Sequence, residues 1–319
     1  MSAVDSSSPD QLSGTQNAFL NEFARAYLAQ QRREQRWRWF WRLIWLVVAG
    51  SLVWATWQNM PSAKSQVTPH TALVEVRGEI GGDTESSADN LMTALRSAFE
   101  DEGAKAVVLR INSPGGSPVQ AGLVNDEIIR LKALHKKKVY AVCEEMCASA
   151  AYYIAVSADQ VYVDKASMVG SIGVLMDGFG FTGIMEKAGV ERRLLTAGAN
   201  KGMLDPYSAR NPQHDAYAQA MIDQIHKQFI QVVRAGRGQR LKETPDTFSG
   251  LFWNGQQAVE LGLADHLGSL DMLARDVVKA EDIIDYTQKE NLAERLAKRF
   301  GASLGAGAVH AMRSSVAIR

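Results

Sequence analysis

The sequence is short of cysteine. Two thiols in 319 residues cannot supply a disulfide framework, and an all-cysteine zinc site needs four. None of the six histidines belongs to a His-Glu-x-x-His pattern, which excludes zincin-type metal chemistry. An excess of either charge is also missing. Lys plus Arg total 35 and Asp plus Glu total 35, whereas a dedicated nucleic-acid binder carries a basic surplus. No P-loop is present, because no Gly-Lys-Ser/Thr follows a glycine-rich loop. No long internal repeat occurs. These absences lead to an expectation of no metal, no cofactor and no nucleic-acid partner.

What is present suits a folded protein. Apolar residues make up 46% and charged residues 22%, too apolar a mixture for disorder. The length allows about two domains, or one large α/β domain with appendages. One long uncharged run exists, the 21 residues from Leu43 to Ala63. A bilayer-spanning helix needs about 20 mostly apolar residues. Trp37, Trp39 and Trp41 at one end and Trp54 and Trp57 at the other suit interfacial belts. A transmembrane helix is therefore predicted over 37–60. Arg32, Arg33, Arg36, Arg38 and Arg42 precede or open it and only Lys64 closely follows, so the positive-inside rule puts the N-terminus in the cytoplasm and the remainder across the membrane.

The organisation expected is a cytoplasmic tail over 1–36, the span over 37–60, a polar linker over 61–70, a folded domain over 71–285, and a C-terminal helix with a Gly/Ala-rich tail over 286–319. Residues 1–16 read as disordered and 17–36 as a short helix. Within the domain, apolar periodicity predicts strands at 72–78, 106–111, 139–143, 160–163 and 191–197. Helices are predicted at 87–100, 119–134, 149–158, 182–188, 214–235, 255–261 and 270–279. Alternation of this kind implies right-handed βαβ crossovers and a largely parallel sheet.

Three loops have the composition of a reactive site. Asn112-Ser-Pro-Gly-Gly-Ser-Pro118 joins a strand to a helix, and its paired Gly115 and Gly116 permit positive φ and close backbone approach. Glu145-Met-Cys-Ala-Ser149-Ala-Ala-Tyr-Tyr153 sets a serine among small residues where a strand runs into a helix. A nucleophilic serine wants that setting, with the next N–H free for an oxyanion. The Gly-x-Ser-x-Gly elbow itself does not match, and Ser149 reads equally as a helix N-cap. Val169-Gly-Ser171-Ile-Gly-Val174 is a third glycine-flanked turn. A serine nucleophile needs a base. His214 and His226 lie on a long helix with a polar face and read as solvated. His135 ends a helix in a lysine run, and His266 sits in a turn. Lysine remains, and Gly198-Ala-Asn-Lys201-Gly202 places one at the end of a predicted strand, among small residues that the fold can enclose.

Five motifs in this order resemble the signal peptide peptidase A (protease IV) family of Ser–Lys membrane peptidases, in its short single-domain form. They are Ser-Pro-Gly-Gly-Ser (113–117), Met-x-Ala-Ser-x-x-Tyr-Tyr (146–153), Gly-Ser-Ile-Gly-Val (170–174), Gly-x-x-Lys (198–201) and Trp-Asn-Gly-Gln-Gln-Ala…Leu-Gly-Leu-Ala-Asp…Leu-Gly (253–268). The resemblance covers roughly 71–285. It implies the spiral β–β–α fold of crotonases and Clp protease, with Ser149 as nucleophile, Lys201 as general base and Ser171 as hydrogen-bond partner of the lysine amine. It also implies an oxyanion hole from Gly115, Gly116 and Ala150. Family members often have glycine where this chain has Ala150. Cys143 and Cys147 fall outside the motif and read as small apolar fillers. The resemblance further implies signal-peptide remnants as substrates, a location in the bacterial cytoplasmic membrane, and a homo-oligomeric ring in which the dyad is shared between subunits. Two enzyme alternatives are a stomatin-linked Ser–Lys protease and a crotonase-like acyl-CoA enzyme. A lysine of ordinary pKa near 10.4 must be tuned to about 7–8 to act as base, and enclosure does this by disfavouring the ammonium.

Overall fold

The computed structural model describes residue 37, residues 39–54 and residues 68–288. The chain divides into two units, Met1–Lys64 and Ser65–Arg319. In the first, residues 39–54 form helix α1, with Trp39, Trp45, Leu46 and Val53 exposed. Among the described residues no helix is long and apolar enough to cross a membrane. The predicted span runs to residue 60, and residues 55–60 lie outside the described residues, as do the tail, the 17–36 helix and the C-terminal helix of 291–300.

The second unit is built on parallel strands. Its elements are β1 (His70–Arg77), α2 (Ala88–Glu100), β2 (Ala104–Ser113), α3 (Pro118–His135), β3 (Lys138–Ala148), α4 (Ala150–Ala155), β4 (Gln160–Val163), β5 (Met168–Gly170), α5 (Thr182–Lys187), α6 (Pro212–Arg237), β6 (Phe252–Asn254), α7 (Gly255–Glu260), β7 (His266–Leu267), α8 (Leu270–Met272) and β8 (Ile283–Asp285). A π-helical turn, Leu273–Val278, extends α8. The strand order is β6-β5-β3-β2-β1-β8, with β4 on β3 and β7 on β4. Every pairing is parallel except β5 with β6.

The helices begin where their side chains satisfy the free N–H groups of the first turn. Ser87 caps α2 and Ser117 caps α3, where Pro118 follows with its φ already helical. The main core lies between the sheet and α2–α4, around Leu95, Phe99, Leu109, Ile128 and Tyr152. A smaller one covers the other face, with Leu73, Val108 and Val142 under Leu273. The end of α6 is tied to the sheet by a largely buried ion pair. Arg237, 1% exposed, donates from Nη1 and Nη2 to the Asp265 carboxylate and from Nε to the Gly262 carbonyl.

Strand β3 is longer than the predicted 139–143 and has two storeys. Tyr140–Cys143 pairs with β4, and Met146–Ala148 pairs with β5 on the same edge. On its other edge the register against β2 slips, since Ile111 faces Cys143 but Ser113 faces Cys147. The extra residues bulge, and a bulge bends its strand. Cys143 and Cys147 flank it, both buried. One expectation fails outright. Residues 191–197 form no strand and are exposed, because that alternating stretch has no neighbouring strand to pair with. Lys201 accordingly follows turns, not a strand.

Candidate active site

The upper storey of β3 ends at Ala148 and α4 starts at Ala150, so the whole reversal falls on Ser149. Its backbone sits at φ 54° and ψ −122°. A positive φ at a residue with a Cβ costs of order 1–3 kcal/mol and persists only where the surroundings enforce it. Here the Ser149 N–H donates to the Gly170 carbonyl at 2.8 Å, and the Ser149 carbonyl accepts from Tyr153 N at 3.0 Å. Buried Ala148, Ala150 and Ala151 pack beside it, and buried Tyr152 anchors α4 by donating from Oη to the Leu263 carbonyl at 2.7 Å. The Ser149 side chain makes no capping bond, which removes the N-cap alternative and leaves its hydroxyl available.

The glycine loop touches this turn from the end of β2. A Cβ on Gly115, at φ 108°, would lie 2.7 Å from Ser149 Cβ and 3.0 Å from Ala150 N, so only glycine allows the approach. A Cβ on Gly116 would lie 2.1 Å from the Ile80 carbonyl oxygen. Ile80 pins the loop, donating to Gly115 O at 2.9 Å and accepting from Ser117 N at 2.8 Å. The Gly115 N–H is engaged, donating to Ser113 Oγ at 3.2 Å. Among the described residues the N–H groups of Gly116 and Ala150 have no such partner. The unengaged N–H groups beside Ser149 are therefore those of Gly116 and Ala150, and Gly115 contributes clearance.

Ser171 completes the group. It follows Gly170 (φ 116°) with its own φ at 51°, and its N–H donates to the Leu251 carbonyl at 2.7 Å. Gly170 is obligatory, since a Cβ there would come within 2.8 Å of the Trp253 ring. Gly116, Ser149, Ala150 and Ser171 line one cavity of about 520 Å³. Tyr153, Val174, Leu175, Ile225 and Phe229 form its apolar walls, and among the described residues no charged side chain lines it. Burial and the neighbouring Cys143 hold the Cys147 thiol well above its ordinary pKa. Both cysteines lie on a strand.

Lys201 is not on this cavity. It is exposed, in a run of turns over 199–204, so one chain does not supply the enclosure a lysine base needs. Sequence reasoning also missed Ile80, Tyr153, Ile225, Phe229 and Trp253, of which Tyr153 and Trp253 stood inside the quoted motifs. The polar face of its helix predicts a solvated His226, and the structure differs. The side chain is half-buried and contacts the Ile172 carbonyl.

Residues 132–283 match the model of peptidase family S49. Among curated relatives, a protein of Brucella melitensis named Na(+)/H(+) antiporter NhaA is 46% identical over 180 residues, which are 56% of this chain and 24% of that one. A protein of Enterococcus faecium carrying the name of a signal peptide peptidase, SppA, is 30% identical over 201 residues, 63% of this chain and 55% of that one. A protein of Synechocystis sp. named as a protease is 32% identical over 207 residues, 65% of this chain and 72% of that one. The chain thus spans about a quarter of the Brucella relative and about half of the Enterococcus one. With the family model placed across the Ser149 and Ser171 turns, and a relative matched along most of its length, the chain belongs to peptidase family S49.

Proposed function

We propose that this chain is a membrane-anchored serine endopeptidase with a Ser149–Lys201 dyad, in a spiral β–β–α domain, cleaving signal-peptide remnants and other apolar peptides at the outer face of the bacterial cytoplasmic membrane. The observation that carries the reading is Ser149 itself, held at positive φ in an uncharged cavity beside two unengaged N–H groups. In this reading the neutral Lys201 amine takes the Ser149 hydroxyl proton as Oγ attacks the scissile carbonyl. The Gly116 and Ala150 N–H groups receive the charge that develops on oxygen, which is the largest single source of such acceleration. The protonated amine then gives its proton to the leaving nitrogen, and water repeats the sequence on the acyl-enzyme. Ser171 orients the amine. The apolar walls of the cavity and the apolar α1 segment support an apolar substrate met at a membrane.

Lys201 reaches Ser149 from a second copy of the chain. In support, residues 174–200 project large apolar side chains into solvent, with Leu195 96% and Leu175 82% exposed, as expected of a surface covered on assembly. A head-to-tail contact of this kind closes into a ring when its rotation closes. A fluorophosphonate probe tests the proposal, because only an activated serine reacts. The wild-type chain should label and hydrolyse an apolar peptide, and Ser149→Ala should do neither. Labelling that survives Ser149→Ala would refute the assignment.

A further inference from the structure

We infer that His226 is a positioning residue for the Ser149 site, acting through the Ile172–Gly173 peptide; the inference rests on the dyad reading above. His226 lies on α6, between the cavity-lining residues Ile225 and Gln228, but does not itself line the cavity. Its Nε2 lies 3.0 Å from the carbonyl oxygen of Ile172, which is fully buried. A carbonyl oxygen only accepts, so Nε2 carries the hydrogen and donates.

That carbonyl belongs to the peptide whose other polar group, the Gly173 N–H, donates to the Ser171 carbonyl at 2.9 Å. Both ends of one peptide plane are therefore held. One end is fixed by α6 and the other closes a three-residue turn on Ser171. The turn is strained at Ser171, which carries a Cβ at φ 51° directly after Gly170 at φ 116°. On its far side Ser171 N is fixed to Leu251 O, and Gly170 O receives the Ser149 N–H. His226 is thus the only side chain among the described residues that hydrogen-bonds this turn from the α6 side. Without the donor, the Ile172 carbonyl is left inside the protein unpartnered. The turn can then relax, moving the Ser171 hydroxyl and loosening the contact that holds Ser149 at φ 54°. Small displacements of a catalytic group cost far more in rate than in stability.

The test compares donor-bearing and donorless replacements in the full chain. His226→Leu and His226→Met keep apolar bulk without a donor, and His226→Gln places an amide N–H at a similar reach. Peptide hydrolysis, the rate of fluorophosphonate labelling and the thermal midpoint are measured together, with Ser149→Ala as control. Both donorless variants should lose roughly ten-fold in kcat and in labelling rate, with KM little changed and the midpoint lowered by a few degrees, and the Gln variant should recover most of both losses. Wild-type rates in the Leu or Met variant, equal losses in all three, or a loss seen only as a lowered midpoint would overturn the inference while leaving the dyad standing. Hydrolysis that persists in Ser149→Ala would overturn the dyad and this inference with it.

Discussion

The lower sheet and the 174–200 segment are made of similar residues and treated in opposite ways. Strands β1–β4 and helices α2 and α4 bury their leucines, valines and isoleucines on the sheet's two faces, and α3 buries Val124, Ile128 and Leu131 while its outer face leaves Val119, Leu123, Ile129 and Leu134 exposed. The later segment has comparable side chains, including Phe179 at 77% exposure and Ile184 at 66%. The first region holds Ser149 and the unengaged N–H groups, and the second holds Lys201. The half of the site that must be rigid, where positive φ has to be enforced, is built by a core complete within one chain. The half that must be enclosed to work is left open in one chain. The difference separates two costs. Strain is offset by local packing, and in the proposed dyad desolvation of the base waits for assembly.

The strongest way to break this comparison is to inactivate each half separately. Ser149→Ala and Lys201→Ala should each abolish hydrolysis. After dissociation and reassembly, an equal mixture should recover about a quarter of wild-type activity, the share of shared sites that draw both intact residues. A mixture inactive at every ratio would put both residues in one subunit. Next in size, Gly115→Ala should lower kcat by about 10² or more with the fold retained, since its methyl would displace Ser149 and Ala150 N from the geometry that an oxyanion hole requires. An unchanged kcat would show that the approach of the loop is incidental.

Within the core, Leu95→Ala should cost about 3 kcal/mol in denaturant unfolding, the usual result of emptying a fully buried leucine site. A smaller effect comes from the link between α2 and α3. Glu127 accepts from Arg130 and Arg96, and chiefly the Arg130 hydrogen bond lowers its pKa to about 2. A carboxylate depressed on folding stabilises above its ordinary range near 4.5 and loses that contribution as pH falls toward about 2. With both arginines half-exposed, the contribution is about 1 kcal/mol. Glu127→Gln should remove it at pH 7 and flatten the acid limb of the stability curve. The smallest expected change sharpens the contrast best. Leu195→Ser should alter the stability of the isolated chain by less than about 0.5 kcal/mol, and sedimentation should show weakened association. Normal assembly in that variant would remove Leu195 from the covered surface.

The elements with strong periodicity were legible in the sequence. Helix α2 and strands β1, β2 and β4 fall within a few residues of their predicted bounds, because each has a full apolar face or run, and α3 does so although its apolar residues lie on both its buried and its exposed sides. Strands β5–β8 were not, being two to three residues long, too short for any period. The 191–197 stretch alternates like a strand but is exposed, since periodicity reports what a segment can pair with and not whether a partner exists. In the site, Ser149, Ser171, Gly116 and Ala150 were legible because small residues crowd the turns that bring them together. Gly115 was picked for the right loop, but its role as clearance needed the contact with Ser149. His226 was invisible because its partner is a backbone carbonyl 54 positions away, and no side-chain pattern records such a bond.

The pairing of β8 with β1 has a consequence for synthesis. Thr71–Leu73 hydrogen-bonds Ile283–Asp285, so the outer edge of the first strand stays uncovered until the last strand of the sheet has been made. A chain growing at roughly 5–20 residues per second carries that open edge for about 10–40 s. Through that time the newborn sheet presents an unsatisfied row of N–H and C=O groups, the template on which neighbouring chains aggregate. Truncation just before Ile283 would make that passing hazard permanent, while leaving every residue around Ser149 in place.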